Sequence, residues 1–153
     1  TPFQLIGAPF LNATRLVKRL SDSSFIGNAS APSTRVRKQK WRKAFFIPTW
    51  FKFNETVCAG VEFVRPRADD LFGEGMRLLT ALRVVANPSS AFIWDGSWFG
   101  QPGNILIDRY AGTPRLRELL DQGLAPDLIS KAFAVEAADF VKIRAPYLLG
   151  YPD

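Results

Sequence analysis

Residues 44–66 read Ala-Phe-Phe-Ile-Pro-Thr-Trp-Phe-Lys-Phe-Asn-Glu-Thr-Val-Cys-Ala-Gly-Val-Glu-Phe-Val-Arg-Pro, and this stretch decides the fold. Two runs within it, 44–47 and 59–64, are dense in aromatic and β-branched residues, which suit a half-buried pleated surface. A Trp/Phe-rich connection joins them. Pro48 and Pro66 each lack a backbone donor, so each ends a strand or sits at a sheet edge. The pattern predicts a pair of strands, with the rest of the chain supplying helices and loops around it.

Toward the N-terminus, residues 3–6 read as a short strand stopped by Gly7 and Pro9. Asn12 can cap a helix whose Leu16, Val17 and Leu20 share one face. Residues 21–34 are Ser/Gly/Ala/Pro-rich and aperiodic, and they run into a basic segment. Together they form a basic loop insertion at about 21–43. A loop this long is often functional.

Downstream, Leu71, Leu78, Leu79, Leu82 and Val85 form the stripe of an amphipathic helix over 68–86. Asp69 and Asp70 fall in its first turn and Arg83 in its last, as the macrodipole favours. Gly73 and Gly75 weaken it, and Asn87-Pro88 ends it. Phe92-Ile93-Trp94 is a further candidate strand, and 104–110 reads equally as strand or helical turn. Thr113-Pro114 opens a helix that runs to Gln122 and stops at Gly123. Pro126 opens the last helix, with Ile129, Ala132, Phe133, Glu136, Ala137 and Phe140 on one face. Pro146 ends it, and the aromatic tail 147–153 is expected to dock. This order predicts a single α+β domain over 1–153, a small mixed β-sheet with helices packed on it.

A chain of 153 residues can hold one real core; a domain of this size buries about 70% of its unfolded surface. No apolar run reaches the roughly 18 residues that span a bilayer. The absence of histidine excludes Ser-His-Asp and Cys-His nucleophilic sites and histidine metal sites within this chain. The single cysteine, Cys58, excludes a four-cysteine zinc site and an internal disulfide, and reads as a small buried hydrophobe. No phosphate-cradling Gly-x-Gly-x-x-Gly is present, so no cofactor is expected. Net charge is +6, and residues 35–43, Arg-Val-Arg-Lys-Gln-Lys-Trp-Arg-Lys, hold six basic residues in nine. Such a run suits an anionic glycan, a nucleic acid or a membrane surface, or is simply a solvated loop. No nucleic-acid reading motif accompanies it, which argues against a nucleic-acid partner.

Several motifs in order along the chain resemble one family. Thr1-Pro2-Phe3-Gln4-Leu5-Ile6-Gly7-Ala8-Pro9-Phe10 is similar to "T-x-P-F-x-x-I-G-A-P-W" of the exo-β-N-acetylmuramidases. Pro48-Thr49-Trp50-Phe51-Lys52 with Cys58-Ala59-Gly60-Val61 resembles their "P-T-F-x-K … C-x-G-V". Ala91-Phe92-Ile93-Trp94 is similar to "F-x-W". Ile107-Asp108, Ala111-Gly112 and Leu116-Arg117 resemble "I-D-x-x-x-G-x-x-x-L-R". Arg144 with Tyr147-Leu148-Leu149 resembles the C-terminal "R-x-x-Y-L-L-Y". These bacterial glycoside hydrolases trim N-acetylmuramic acid from the non-reducing ends of peptidoglycan fragments.

The resemblance implies an N-terminal Rossmann-like half whose "E-G-T-N" carboxylate precedes a "G-R-G-T-x-x-P-F" segment. This chain begins inside that segment, at Thr1-Pro2-Phe3, and without Met, so it reads as a fragment or processed product. The resemblance thus implies a C-terminal domain that closes the sugar cleft, with no catalytic residue of its own. Its implied partner is an N-terminal half, from the same precursor or on another chain.

Glycoside cleavage needs two carboxyls flanking the bond, roughly 5 Å apart for retention or 6.5–9.5 Å for inversion. Glu55, Glu62, Asp95 and Asp108 lie outside the clear helices, and nothing local raises one above the rest. Asp108, in the family-like motif, is also a helix-start cap by type. For a carbohydrate partner, Trp50, Trp94 and Trp98 offer faces to stack on pyranose rings, although Trp50 and Trp94 read first as core, because aromatics dominate cores, and Trp98 is the one least expected to be buried. Lys52 and Arg144 suit the lactyl carboxylate of muramic acid. The candidate substrate-binding set is therefore Trp50, Lys52, Trp98, Asp108 and Arg144. Asn12, Asn28 and Asn54 lie in Asn-x-Ser/Thr sequons. Used sequons imply passage through a secretory pathway and an extracellular location. They favour a second reading, a non-catalytic assembly subunit of a larger glycoprotein.

Overall fold

The computed structural model describes residues 4–22, 41–64, 70–94 and 105–150. Trp98, Asp95, Asn28 and the basic residues from Arg35 to Lys40 lie outside them. Three strands, β1 (Leu5–Ala8), β2 (Trp41–Phe46) and β3 (Cys58–Phe63), form one sheet in the order β1-β3-β2. Both pairings are antiparallel, with Ile6 opposite Val61 and Lys43 also opposite Val61. The α+β class holds, while the sheet is antiparallel throughout the described residues rather than mixed. β2 begins three residues earlier than its apolar run, because Trp41 plants its side chain in the core and pairs with Phe63. Part of the basic segment is therefore strand, not loop.

β1 also shifts, so that Gly7 lies inside the strand rather than ending it. The reason is close packing: a Cβ on its partner Gly60 would collide with the carbonyl oxygen of Ile6. The central strand needs glycine where it crosses β1.

Two helices face this sheet. α1 (Ala13–Ser21) starts on Asn12, whose Oδ1 accepts from the Arg15 N–H at 2.9 Å, as its residue type predicts. α2 (Leu71–Val85) starts on Asp70, whose carboxylate accepts from the Gly73 N–H at 2.7 Å. A side chain at Gly73 would overlap that carboxylate, so this glycine serves the cap rather than merely weakening the helix. Leu16, Leu20, Trp41, Val61, Leu78, Ala81, Leu82 and Val85 make the first core cluster.

α2 also faces the other way. α3 (Leu106–Ala111), α4 (Arg115–Asp121) and α5 (Pro126–Arg144) complete a helical layer. There Met76, Leu116, Leu120 and Ile129 form a second cluster. Each buried Leu or Ile contributes about 1.5–3 kcal/mol, so α2, which serves both clusters, is the hub of the domain. Residues 104–110, open between strand and helix by sequence, are helical from Leu106.

Two expectations fail. Phe92-Ile93-Trp94 is not a strand; a 3₁₀ turn (Ser89–Ala91) leads into it. The Trp94 indole donates to Asp121 at 2.9 Å, and Arg83 sits over both the Phe92 and Trp94 rings. These aromatics bind helix side chains instead of a strand neighbour. Nor does the described part of the tail dock: Tyr147, Leu148 and Leu149 are exposed, Leu149 by 87%, and 151–153 lie outside the described residues.

Candidate functional site

The β2–β3 connection, 47–57, gathers the largest group of exposed aromatic residues near one of the sequence candidates. Pro48 ends β2 by removing a donor. The chain then turns through three left-handed residues, Phe51 (φ 66°), Phe53 (φ 57°) and Glu55 (φ 57°). For residues with a Cβ this is strained backbone, at about 1 kcal/mol or more each. Local bonds hold it: Glu55 N–H donates to Pro48 O at 2.9 Å, Thr56 N–H to Phe53 O at 3.0 Å and Asn54 N–H to Phe51 O at 3.3 Å. The Phe53 ring meets Phe10 edge-on at 6.0 Å, tying the turn to the segment after β1.

The result is a fixed turn with its aromatic side chains outward. Trp50 is 79% exposed, which removes the core reading for it, and its ring lies 5.5 Å from that of Phe51. Phe45 and Ile47, at the end of β2, are exposed as well. Lys52 is exposed on the same turn. An exposed indole can stack on a sugar ring, and an exposed ammonium group can attract a carboxylate.

The other candidates lie elsewhere. Asp108, in the first turn of α3, accepts from Arg117 through both carboxylate oxygens at 2.9–3.0 Å. The carboxylate raises the Arg117 pKa through that hydrogen bond, and the ion pair clamps α3 to α4. Arg144 ends α5 and is exposed. Trp94 is half-buried against the second core cluster. Thus the structure brings Trp50 and Lys52 together on one turn, and places Asp108 and Arg144 on the helical layer.

The carboxylates are largely engaged. Glu62 accepts from Arg42 at 2.5 Å, and this bond raises the arginine's pKa. Glu74 is buried and takes Arg77 at 2.6 Å and the Trp41 indole at 3.4 Å. Asp121 takes Arg83 at 2.9 Å, and Glu136 takes Arg115. Arginine side chains thus occupy the oxygens of these carboxylates. Glu55 is on the aromatic turn and exposed. Among the described residues, no group of three or more His, Cys, Asp or Glu is disposed to hold a metal ion.

Sequence reasoning missed an open groove of about 570 Å³ between α1, α2 and the α4–α5 turn, lined by Arg19, Arg83, Phe92, Asp121 and Asp127. Its only trace in the sequence is Arg83 at a helix end. Burial raises the Cys58 thiol pKa, consistent with the small buried hydrophobe expected.

Among described residues, no helix is long and apolar enough to cross a membrane. Residues 1–150 match the family described as exo-beta-N-acetylmuramidase NamZ, C-terminal. A curated relative, the peptidoglycan beta-N-acetylmuramidase NamZ of Bacillus subtilis (strain 168), is 25% identical over 150 residues. The match covers 97% of this chain and 31% of the relative, so the chain spans about a third of that protein's length. No solved structure gives a significant match.

Proposed function

Because the chain belongs to the family of NamZ exo-β-N-acetylmuramidase C-terminal domains, we propose that it is the saccharide-facing part of a peptidoglycan-trimming glycoside hydrolase and cleaves nothing alone. The observation that carries this reading is the hydrogen-bonded β2–β3 turn, on which Trp50 is 79% exposed and Lys52 is exposed too. Trp50 stacks on the terminal N-acetylmuramic acid ring, and Lys52 attracts its lactyl carboxylate. Among the described residues, the pairing of Glu62, Glu74, Asp108 and Asp121 with arginines fits a domain that leaves the acid and base elsewhere. The acid chemistry then resides on the part of the protein corresponding to the remainder of the B. subtilis relative. Asp108 holds α3 on α4; Arg144, on the helical layer, and Trp98, outside the described residues, stay in the proposed substrate-binding set on the sequence alone.

Calorimetric titration with muramic-acid-terminated peptidoglycan fragments tests this. Trp50→Ala should weaken binding about tenfold, roughly 1.4 kcal/mol. Lys52→Ala should weaken it for muramic-acid ends but not for N-acetylglucosamine ends, which lack the lactyl group. Equal binding by wild type and both variants would overturn the assignment.

The second reading, an assembly subunit of a secreted glycoprotein, draws on the three sequons. Asn12 and Asn54 are exposed. Asn12 caps α1 through Oδ1, leaving Nδ2 for a glycan. Intact mass of the natural protein decides it: a glycan at Asn12, Asn28 or Asn54 supports this reading and an extracellular location, and an unmodified mass removes its basis.

A further inference from the structure

α5 is docked for only part of its length. Ile129 is fully buried and Phe133 packs against Phe72 at 5.4 Å. From Ala134 through Gly150 every residue is exposed. The helical part of this overhang runs about 16 Å at 1.5 Å per residue. It carries Val135, Phe140, Val141 and Ile143, and Tyr147 and Leu149 follow it, all large and exposed. At 100° per residue, Val135, Phe140, Val141 and Ile143 spread over more than half of the helix circumference. A helix apolar on several sides is normally buried, and a short one has little stability in water by itself. The overhang's own charges are mostly matched within the chain: Asp139 with Lys142 at 2.9 Å, and Glu136 with Arg115.

We propose that this distal half of α5, with the tail after it, is the element on which the catalytic half of a NamZ-like protein docks, as a helix in an apolar groove. This rests on the reading that the chain works with such a half. Two observations choose the occupant. The family is that of a C-terminal portion, and the chain matches only 31% of the B. subtilis relative, so most of such a protein lies outside it. A second copy of this helix would cover one narrow seam, leaving either the Val135 or the Val141 side wet. A groove in a larger body covers both, whereas the hydroxyls of a sugar do not match a helix that is apolar on several sides.

The test uses a full-length chimera, the B. subtilis relative with its matched segment replaced by residues 1–150. Hydrogen exchange is followed at 134–144 in the chimera and in the 153-residue chain, together with N-acetylmuramic acid release. Exchange at 134–144 should slow by about 100-fold in the chimera. Val135→Asp and Phe140→Asp, both at exposed positions, should each restore fast exchange and lower release at least tenfold, whereas Lys18→Asp on α1 should change neither. An active chimera whose 134–144 amides stay fast overturns the docking proposal alone. An inactive chimera with fast amides overturns the proposal and the functional reading together. Protection already present in the 153-residue chain, dependent on its concentration, overturns it in favour of self-association.

Discussion

The β2–β3 turn and the distal half of α5 both expose large apolar side chains, yet they differ in how they are held. The turn is closed by β-pairing on each side, by three internal backbone hydrogen bonds and by the Phe53–Phe10 contact. Its left-handed residues are strained, and the strain persists because those contacts over-determine the backbone. The α5 overhang has only its own helical bonds and a few exposed ion pairs. A turn held by internal hydrogen bonds suits a small ligand; an apolar helix without a body beneath it suits a macromolecular groove. Exposure alone does not separate these roles, but the support beneath the exposed residues does.

The largest effect that sharpens this contrast lies within α5 itself. Ile129→Ala, in the docked part, should cost about 2–5 kcal/mol in urea unfolding, whereas Phe140→Ala, on the overhang, should stay within about 0.5 kcal/mol. Comparable losses at both sites would show that the overhang is part of the core. Next comes Trp41→Phe, which removes the indole donor to the buried Glu74 carboxylate. Denaturant melts should show a loss of about 1–3 kcal/mol.

A smaller effect of opposite sign is expected on the turn. Glu55→Gly relieves a left-handed Cβ and should stabilise by up to about 1 kcal/mol, while loosening the turn and weakening saccharide binding. A destabilised variant would mean that Glu55 makes contacts that outweigh the strain. The smallest effect concerns Cys58, behind the turn. Its folded pKa is raised from 9.0 by burial. Its contribution to stability is therefore complete below about pH 9 and is lost as pH rises toward the folded value. The decline in unfolding free energy above pH 9 should be shallower in Cys58→Ala by no more than one proton's slope; identical slopes would show that the thiol ionises equally in both states.

Where local chemistry decides, the sequence was legible. The Asn12 cap, the strand read at 59–64 and found at 58–63, the stripe of α2 apart from the exposed Leu71, the Pro126 start of α5 and the buried Cys58 all follow from residue type and spacing. Where a distant partner decides, it was not. Trp41 extends β2 because Glu74, far along the chain, receives its indole. Phe92-Ile93-Trp94 has strand composition, but Arg83 and Asp121 capture its rings. The periodicity of α5 continues past Phe133, and nothing in the pattern reveals that the body beneath it ends there. Within the candidate region the aromatic connection was legible, but Trp50's exposure was not, because an aromatic there reads first as core; nor was the turn's left-handed geometry, because none of its three such residues is glycine.

The central claim is that this domain holds the saccharide and leaves the cleavage to another part of the protein. An NMR titration of the 153-residue chain with a muramic-acid-terminated peptidoglycan fragment tests it most directly. The account predicts shift changes concentrated at residues 47–57, with the fragment remaining intact. Free N-acetylmuramic acid appearing in the spectrum, or shift changes that leave 47–57 untouched, would contradict it.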